Sequence, residues 1–321
     1  MQIGGLLTDL VAPGAAALSA ASLATGVGPG RVSLAPGQTI EFSRWLDALP
    51  LGCWARFTRV SSVRLEVASS APVEVTVRVS DSGALGHPPP AGACRDVASG
   101  TTRVGTFTAT VDADESADGG WAWPVITAGP AAVTEVSWRW VTNDVVPVPN
   151  SLAVAITTLD RHEACLRQLG VLAAAARDGG PLDGVLGRVI LVDQGTMPVS
   201  EAAAFGVVAR SLGRRLTVIR QRNLGGSSGV TRGLHEGLKD SQITHVALLD
   251  DDALAQPEGL AHAWAFAQAT RSPTLVGGHL FDAATPTTLY RLGEVMDRTR
   301  FTVTSLPGTP TNIDLAQASV C

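Results

Sequence analysis

Four polar clusters in the second half of the chain carry side chains suited to chemistry on a charged ligand. They are Thr157-Thr158-Leu159-Asp160-Arg161, Asp193-Gln194-Gly195, Asn223-Leu224-Gly225-Gly226-Ser227-Ser228-Gly229 and Asp250-Asp251-Asp252. The aspartate run is the most pointed of them. Three adjacent carboxylates repel one another unless a cation offsets their charge. In extended backbone, successive side chains point to opposite sides, so Asp250 and Asp252 can share one metal while Asp251 faces elsewhere. Hard oxygen ligands suit Mg²⁺ or Mn²⁺, which commonly bridge to substrate phosphates. The plainer alternative is a solvated acidic loop capping a helix that starts near Pro257.

The other clusters are individually weaker. Residues 223–229 read as a flexible turn entering a helix, where glycines admit a ligand to the backbone and the helix N-terminus favours phosphate. The run lacks the Gly-Lys-Ser/Thr of a P-loop and the GxGxxG spacing of a dinucleotide fold, and any tight connection needing small residues would look the same. Arg161 either pairs with a phosphate or opens the next helix as a surface residue. Asp193 and Gln194 either hydrogen-bond a base or sugar or simply end a strand. His235 and His245 read as helix-surface and strand-end residues, and His279 follows Gly277-Gly278 with no partner evident.

Alternating strands and helices must position these clusters. Residues 152–156, 185–192, 216–221 and 245–249 are short, nearly continuous apolar runs, and residues 163–176, 199–212 and 231–238 have helical periodicity. That alternation predicts a parallel, doubly wound sheet, whose ligands sit at the carboxyl ends of the strands. Each polar cluster follows such an end.

The first half has a different period. Val63, Leu65 and Val67 alternate with polar residues, as do Val73, Val75, Val77 and Val79, and residues 69–72 between them read as a hairpin turn. Further strands follow at 106–111, 121–126 and 133–141, separated by turns such as Asp118-Gly119-Gly120, with no helix of comparable strength. An antiparallel β-sandwich or barrel is expected. Trp45, Trp54, Trp121, Trp123, Trp138 and Trp140 could stack on sugar rings, but pairs at strand spacing favour packing. Val146-Pro147-Val148-Pro149-Asn150 is a stiff connector. The expected division is an extension at 1–36, a β-sandwich at 37–146 and an α/β domain at 147–321.

Composition excludes several classes. With 45% hydrophobic and 17% charged residues the chain is globular, and a net charge of −5 gives no basic face for nucleic acid. Cys53, Cys94, Cys165 and Cys321 form no CxxC pair, so neither a zinc knuckle nor a dense disulfide framework is expected, and a reducing compartment is the simpler reading. No apolar run reaches the roughly 20 residues that span a bilayer, and no basic residue precedes Arg31 as a signal peptide would require. A soluble or peripheral protein is expected.

Taken together, the motifs resemble a family. Gln221 through Gly229, the aspartate triplet, Leu275-Val276-Gly277-Gly278 and Gly293-Glu294-Val295-Met296-Asp297-Arg298 are spaced as in the polymerising galactofuranosyltransferases of mycobacterial cell-wall galactan. Glu41-Phe42-Ser43, Ala48-Leu49-Pro50 and Asp118-Gly119-Gly120-Trp121-Ala122-Trp123 are similar to that family's β-sandwich, so the likeness runs from about Gly37 onward. The resemblance implies a GT-A domain of glycosyltransferase family 2, using UDP-galactofuranose as donor and extending a lipid-linked galactan with inversion. It implies that Thr158, Arg161, Gln194 and Asn223 contact the UDP moiety, that Asp251 lies close to the donor, and that Asp250 and Asp252 hold Mn²⁺ or Mg²⁺. It also implies a cytoplasmic enzyme at the inner membrane face, and a homo-oligomer in the full-length protein.

Two departures qualify this. The family's Pro-Thr-Phe-Asn-Arg is replaced by Thr157-Thr158-Leu159-Asp160-Arg161, which keeps Thr158 and Arg161 and alters the expected uracil pocket. The family's acceptor tryptophans, acidic general base and metal-site histidine fall downstream of Cys321, so the α/β domain is expected to be incomplete at its C-terminus. A fragment that binds UDP weakly and transfers little sugar follows from that expectation. The rivals are another family 2 enzyme, such as a rhamnosyltransferase, and a non-catalytic glycan-binding protein. A nucleotidyltransferase has no basic glycine-rich signature near residue 160 to support it.

Overall fold

A computed structural model describes residues 32–44, 47–80, 94–102, 105–116, 119–130, 134–282, 284–285, 287–291, 294–305 and 312–315. They fall into two compact units, Met1–Val146 with Ala269–Cys321, and Pro147–Gln268. Trp45, Asp118 and Gly293 lie outside the described residues, as does residues 1–31 of the expected extension.

The first unit is built from strands. In chain order these are β1 (Val32–Leu34), β2 (Thr39–Glu41), then helix α1 (Leu51–Phe57), β3 (Ser62–Ser69), β4 (Val73–Ser80), β5 (Cys94–Thr102), β6 (Gly105–Asp112), β7 (Ala122–Ala128) and β8 (Thr134–Val141). They form two four-stranded antiparallel sheets, ordered β1-β8-β3-β6 and β2-β7-β4-β5. The two-residue period works as expected, since Val63, Leu65, Val67, Val73, Val75, Val77 and Val79 are all buried. Burying each such side chain contributes roughly 1.5–3 kcal/mol.

Residues 69–72 are not a hairpin. β3 pairs with β6 and β8, whereas β4 pairs with β5 and β7. Ser70 continues the β8 ladder, its N–H donating to Glu135 O at 2.9 Å and its Oγ accepting from Glu135 N at 2.9 Å. Two residues later Pro72 O accepts from Gly129 N at 2.9 Å, beside the other sheet. The chain therefore changes sheets within this short stretch. Alternation reports which face is buried, not which strand is the neighbour. The seven-residue α1 is likewise absent from the periodicity.

The tryptophans pack inward. Trp54, Trp123 and Trp140 are at most 1% exposed, and Trp121 and Trp138 at most 8%. Trp123 Nε1 donates to Glu41 Oε1 at 3.0 Å. None of these five rings presents a face to stack on sugar. Residues after Gln268, which the expected division placed in the α/β domain, group with this unit. Short strands β13 (Leu280–Phe281), β14 (Thr288–Arg291), β15 (Glu294–Asp297), β16 (Thr302–Ser305) and β17 (Ile313–Asp314) follow the last helix of the chain. Leu289 and Leu315 bury themselves with Ala48, Trp121 and Trp123, and Phe281 packs against that cluster. Cys94 is disulfide-bonded, a departure from the reducing-compartment reading, while Cys53 and Cys165 are free.

The second unit alternates. Its elements are β9 (Leu152–Thr158), α2 (His162–Ala175), β10 (Leu186–Asp193), α3 (Phe205–Leu212), β11 (Leu216–Arg220), α4 (Gly226–Leu238), β12 (His245–Asp250) and α5 (Pro257–Ala269), the last ending at the unit boundary. The four strands are parallel, ordered β11-β10-β9-β12. Sheet order therefore reverses between β9 and β12, the position where such folds open a crevice. The expected helix at 199–212 is split into a short 3-10 turn, Val199–Glu201, and α3. Among the described residues, no helix is long and apolar enough to cross a membrane.

Candidate active site

At the reversal point the ends of β9 and β12 are joined in register, Thr157 opposite Asp250. The aspartates alternate in exposure, Asp250 and Asp252 exposed and Asp251 buried, although the strand itself ends at Asp250 and the chain bends after it. Thr158 Oγ1 donates to Asp251 Oδ2 at 2.6 Å in this buried crevice. Arg161, at the N-cap position of α2, hydrogen-bonds Asp252 Oδ2 through Nη1, which also lies 3.8 Å from Asp251 Oδ1. Thr158, Arg161, Asp251 and Asp252 thus form one connected group with Asp250 beside them. Below it, burial first and then the Asp251 and Asp193 charges push the Cys165 thiol up to about 12, so this sulfur stays protonated.

The neighbouring strand end supplies a second group. The Gln194 N–H donates to Thr158 O at 2.9 Å, tying the β10 end to the β9 end. Asp193 is fully buried and accepts from Gly195 N at 2.9 Å, Val199 N at 2.8 Å and Arg220 Nη1 at 2.9 Å. It shapes the loop after β10 and has no free oxygen to offer. The Gln194 side chain is equally committed. Its Oε1 accepts from Gln221 Nε2 at 3.0 Å and Leu224 N at 3.1 Å, and its Nε2 donates to Gly225 O at 3.2 Å. Gln221, quoted in the sequence only as part of a motif, also donates to Ser228 Oγ at 3.1 Å and so clasps the start of α4. Asn223 is exposed, its Oδ1 accepting from Gly225 N at 2.9 Å.

The glycine run is less loop than expected. α4 begins at Gly226, and only Gly225, with φ +86°, needs the conformational freedom of glycine. Gly229 lies inside the helix, where an added Cβ would sit 2.2 Å from Thr157 Cγ2. Its smallness lets α4 lie against β9. Asp160, with φ 55°, closes the other side of the edge. Against a desolvation penalty, N–H donation from Met197 and Thr196 and the Thr196 hydroxyl hold its carboxyl below the usual range.

Among the described residues, no three His, Cys, Asp or Glu side chains converge as a ligand set. The carboxylates of Asp250 and Asp252 are exposed hard oxygen donors, the donor type by which one or two carboxylates hold a divalent ion while substrate phosphates and water complete its shell.

Residues 149–306 match the family described as glycosyltransferase like family 2. The chain is 33% identical over 297 residues to galactofuranosyltransferase GlfT2 of Mycolicibacterium smegmatis and 32% identical over 298 residues to that of Mycobacterium tuberculosis. Each alignment covers 90% of this chain and 44% of the relative, so the chain spans less than half the length of these curated relatives. A solved family two carbohydrate esterase from Clostridium thermocellum overlaps 74% of this chain and 93% of its own, at a TM-score of 0.20 and 10% identity, a likeness that carries no argument. The parallel sheet and its strand-end site therefore belong to a glycosyltransferase like family 2 domain. More particularly, over 90% of its length the chain is similar to galactofuranosyltransferases.

Proposed function

We propose that the edge formed by β9, β10 and β12 binds UDP-galactofuranose for metal-dependent, inverting transfer to a growing lipid-linked galactan. The observation that carries this reading is the aspartate run at the sheet's reversal point, linked to Thr158 and Arg161. Asp250 and Asp252 would hold Mn²⁺ or Mg²⁺, which supplies positive charge against the diphosphate of the departing UDP. Arg161 would pair with the same diphosphate through its guanidinium fork. Thr158 orients Asp251 near the donor, and Gln194 and Asn223 set the 221–225 backbone that faces the nucleotide. In the reaction the anomeric C–O bond to UDP breaks as an acceptor hydroxyl attacks from the opposite face, its proton passing to a general base. No residue of this chain is assigned to that base. The two antiparallel sheets are read as a sandwich that supports a homo-oligomer at the inner face of the membrane.

The test is competition calorimetry with UDP-galactofuranose, UDP-galactopyranose and dTDP-rhamnose, with Mn²⁺ present. Tightest binding of UDP-galactofuranose supports the donor assignment. Preference for dTDP-rhamnose would replace it with another family 2 donor. Sugar binding that survives both Asp250→Ala and Asp252→Ala would mean a non-catalytic glycan binder.

A further inference from the structure

The positive group on the aspartate run belongs to the chain itself. Arg161 Nη1 hydrogen-bonds Asp252 and approaches Asp251 to 3.8 Å. The backbone beneath it is held, because Asp160 accepts from Thr196 N at 2.7 Å and Met197 N at 3.3 Å. The side chain above is held only by an ion pair open to solvent, since Arg161 and Asp252 are 56% and 55% exposed. Asp251 has its other oxygen fixed by Thr158. The arrangement is a fixed backbone carrying an exposed guanidinium.

We propose that Arg161 is a resident counter-cation, displaced from Asp252 by the incoming divalent ion and thereby freed to take the donor's diphosphate. The inference rests on the metal and UDP reading of the site. A guanidinium fork matches a carboxylate and a phosphate equally well, so one side chain can serve both partners in turn. Exposed ion pairs are weak, about two- to fivefold in an equilibrium, so a divalent ion drawn to two carboxylates outcompetes the guanidinium. The same residue therefore opposes binding of the bare metal and favours binding of the nucleotide. A residue that merely supports the loop would weaken both.

The experiment measures Mn²⁺ affinity of the whole 321-residue chain by electron paramagnetic resonance of free Mn²⁺, without nucleotide, and UDP affinity at saturating Mn²⁺ by calorimetry. Arg161→Gln is expected to tighten Mn²⁺ binding about two- to fivefold and to weaken UDP binding about tenfold or more. Arg161→Lys, which keeps the charge without the fork, is expected to leave Mn²⁺ affinity near wild type while still weakening UDP. Thermal midpoints confirm that each variant is folded. Unchanged or weaker Mn²⁺ binding in Arg161→Gln overturns the inference. If Asp252→Asn abolishes Mn²⁺ binding while Arg161→Gln leaves it unaltered, the metal site stands and the counter-cation role falls. If no form binds Mn²⁺, the site reading and the inference fall together.

Discussion

The two units use charge differently. In the strand-rich unit, ion pairs lie across sheet surfaces: Glu66 between Arg64 and Arg139, Arg78 between Glu41 and Asp96, and Arg95 with Glu115. These pairs are partly solvent-exposed, Glu66 least so at 16%, and each is worth about 0–1 kcal/mol. In the α/β unit, apart from the Arg232 and Lys239 pairs to Glu236 along α4, the paired charges gather at strand ends and tie loops together, as Asp193 does with Gly195, Val199 and Arg220. The first pattern finishes a regular surface around a core that apolar alternation already specifies. The second shapes an edge that has no periodicity of its own. Polar groups that shape irregular backbone are the ones a ligand site needs, and removing them costs more.

The sharpest way to break the comparison is Asp193→Ala. It strips two backbone N–H groups and a guanidinium of their acceptor, and is expected to lower stability by about 2–3 kcal/mol, the half-exposed Arg220 keeping the cost below that of a fully buried pair. Urea denaturation gives the magnitude, and hydrogen exchange should rise across 186–225 while β3 and β4 stay protected. A loss under about 0.5 kcal/mol would erase the distinction.

Packing offers the next contrast. Gly229→Ala drives a Cβ to 2.2 Å from Thr157 Cγ2 and is expected to cost about 1–3 kcal/mol, despite alanine's better helix propensity. Gly170→Ala in α2 meets nothing within 4 Å and is expected to stabilise by up to about 1 kcal/mol. Paired denaturation curves compare them, and equal effects would show that α4 is not held close to β9 by its glycine.

The units also predict opposite pH slopes. Burial raises the Asp47 carboxyl from 3.8 to about 7, against the lowering influence of Arg44, and neither oxygen has a hydrogen-bond partner among the described residues. The folded state holds a proton that the unfolded state has released, so this contribution is full below 3.8 and lost as pH rises through about 7. Burial pushes His262 from 6.5 down to about 3, and its ring nitrogens have no hydrogen-bond partner among the described residues. Here the unfolded state takes up the proton first, so stability is full above 6.5 and falls as pH drops toward about 3. Each slope is at most about 1.4 kcal/mol per pH unit. Asp47→Asn should flatten the decline on the way to neutrality, and His262→Leu the decline below pH 6.5, in thermal midpoints taken across pH. The smallest effect is Glu66→Gln, expected to change stability by less than about 1 kcal/mol even though two arginines lose their partner.

Legibility in the sequence follows the same divide. The change of period near Pro147, the apolar runs of β9 and β10, and the valines of β3 and β4 were readable because burial of a face imposes a repeat. The pairing of β3 with β6 and β8 was not, because alternation is silent about neighbours. Nor was the start of α4 at Gly226. A run of glycine and serine carries no helical pattern, and it is the approach of Gly229 to Thr157 that rewards the helix there. At the site, the residue types after each strand were legible, and Asp250 and Asp252 do alternate with a buried Asp251. Their partners were not. That Thr158 turns to Asp251, and that Gln194 is engaged by Gln221, Leu224 and Gly225, depends on contacts 27 or more residues apart.

The central claim is that the aspartate run is a metal-dependent UDP site. Its most direct test is UDP binding to the whole chain by calorimetry, with Mn²⁺ and again with EDTA, for the wild type and the Asp250→Ala, Asp252→Ala double variant. The wild type should bind UDP with Mn²⁺ and lose roughly 100-fold or more in affinity with EDTA, and the double variant should bind weakly in both. UDP affinity that is the same in all four measurements would contradict the account.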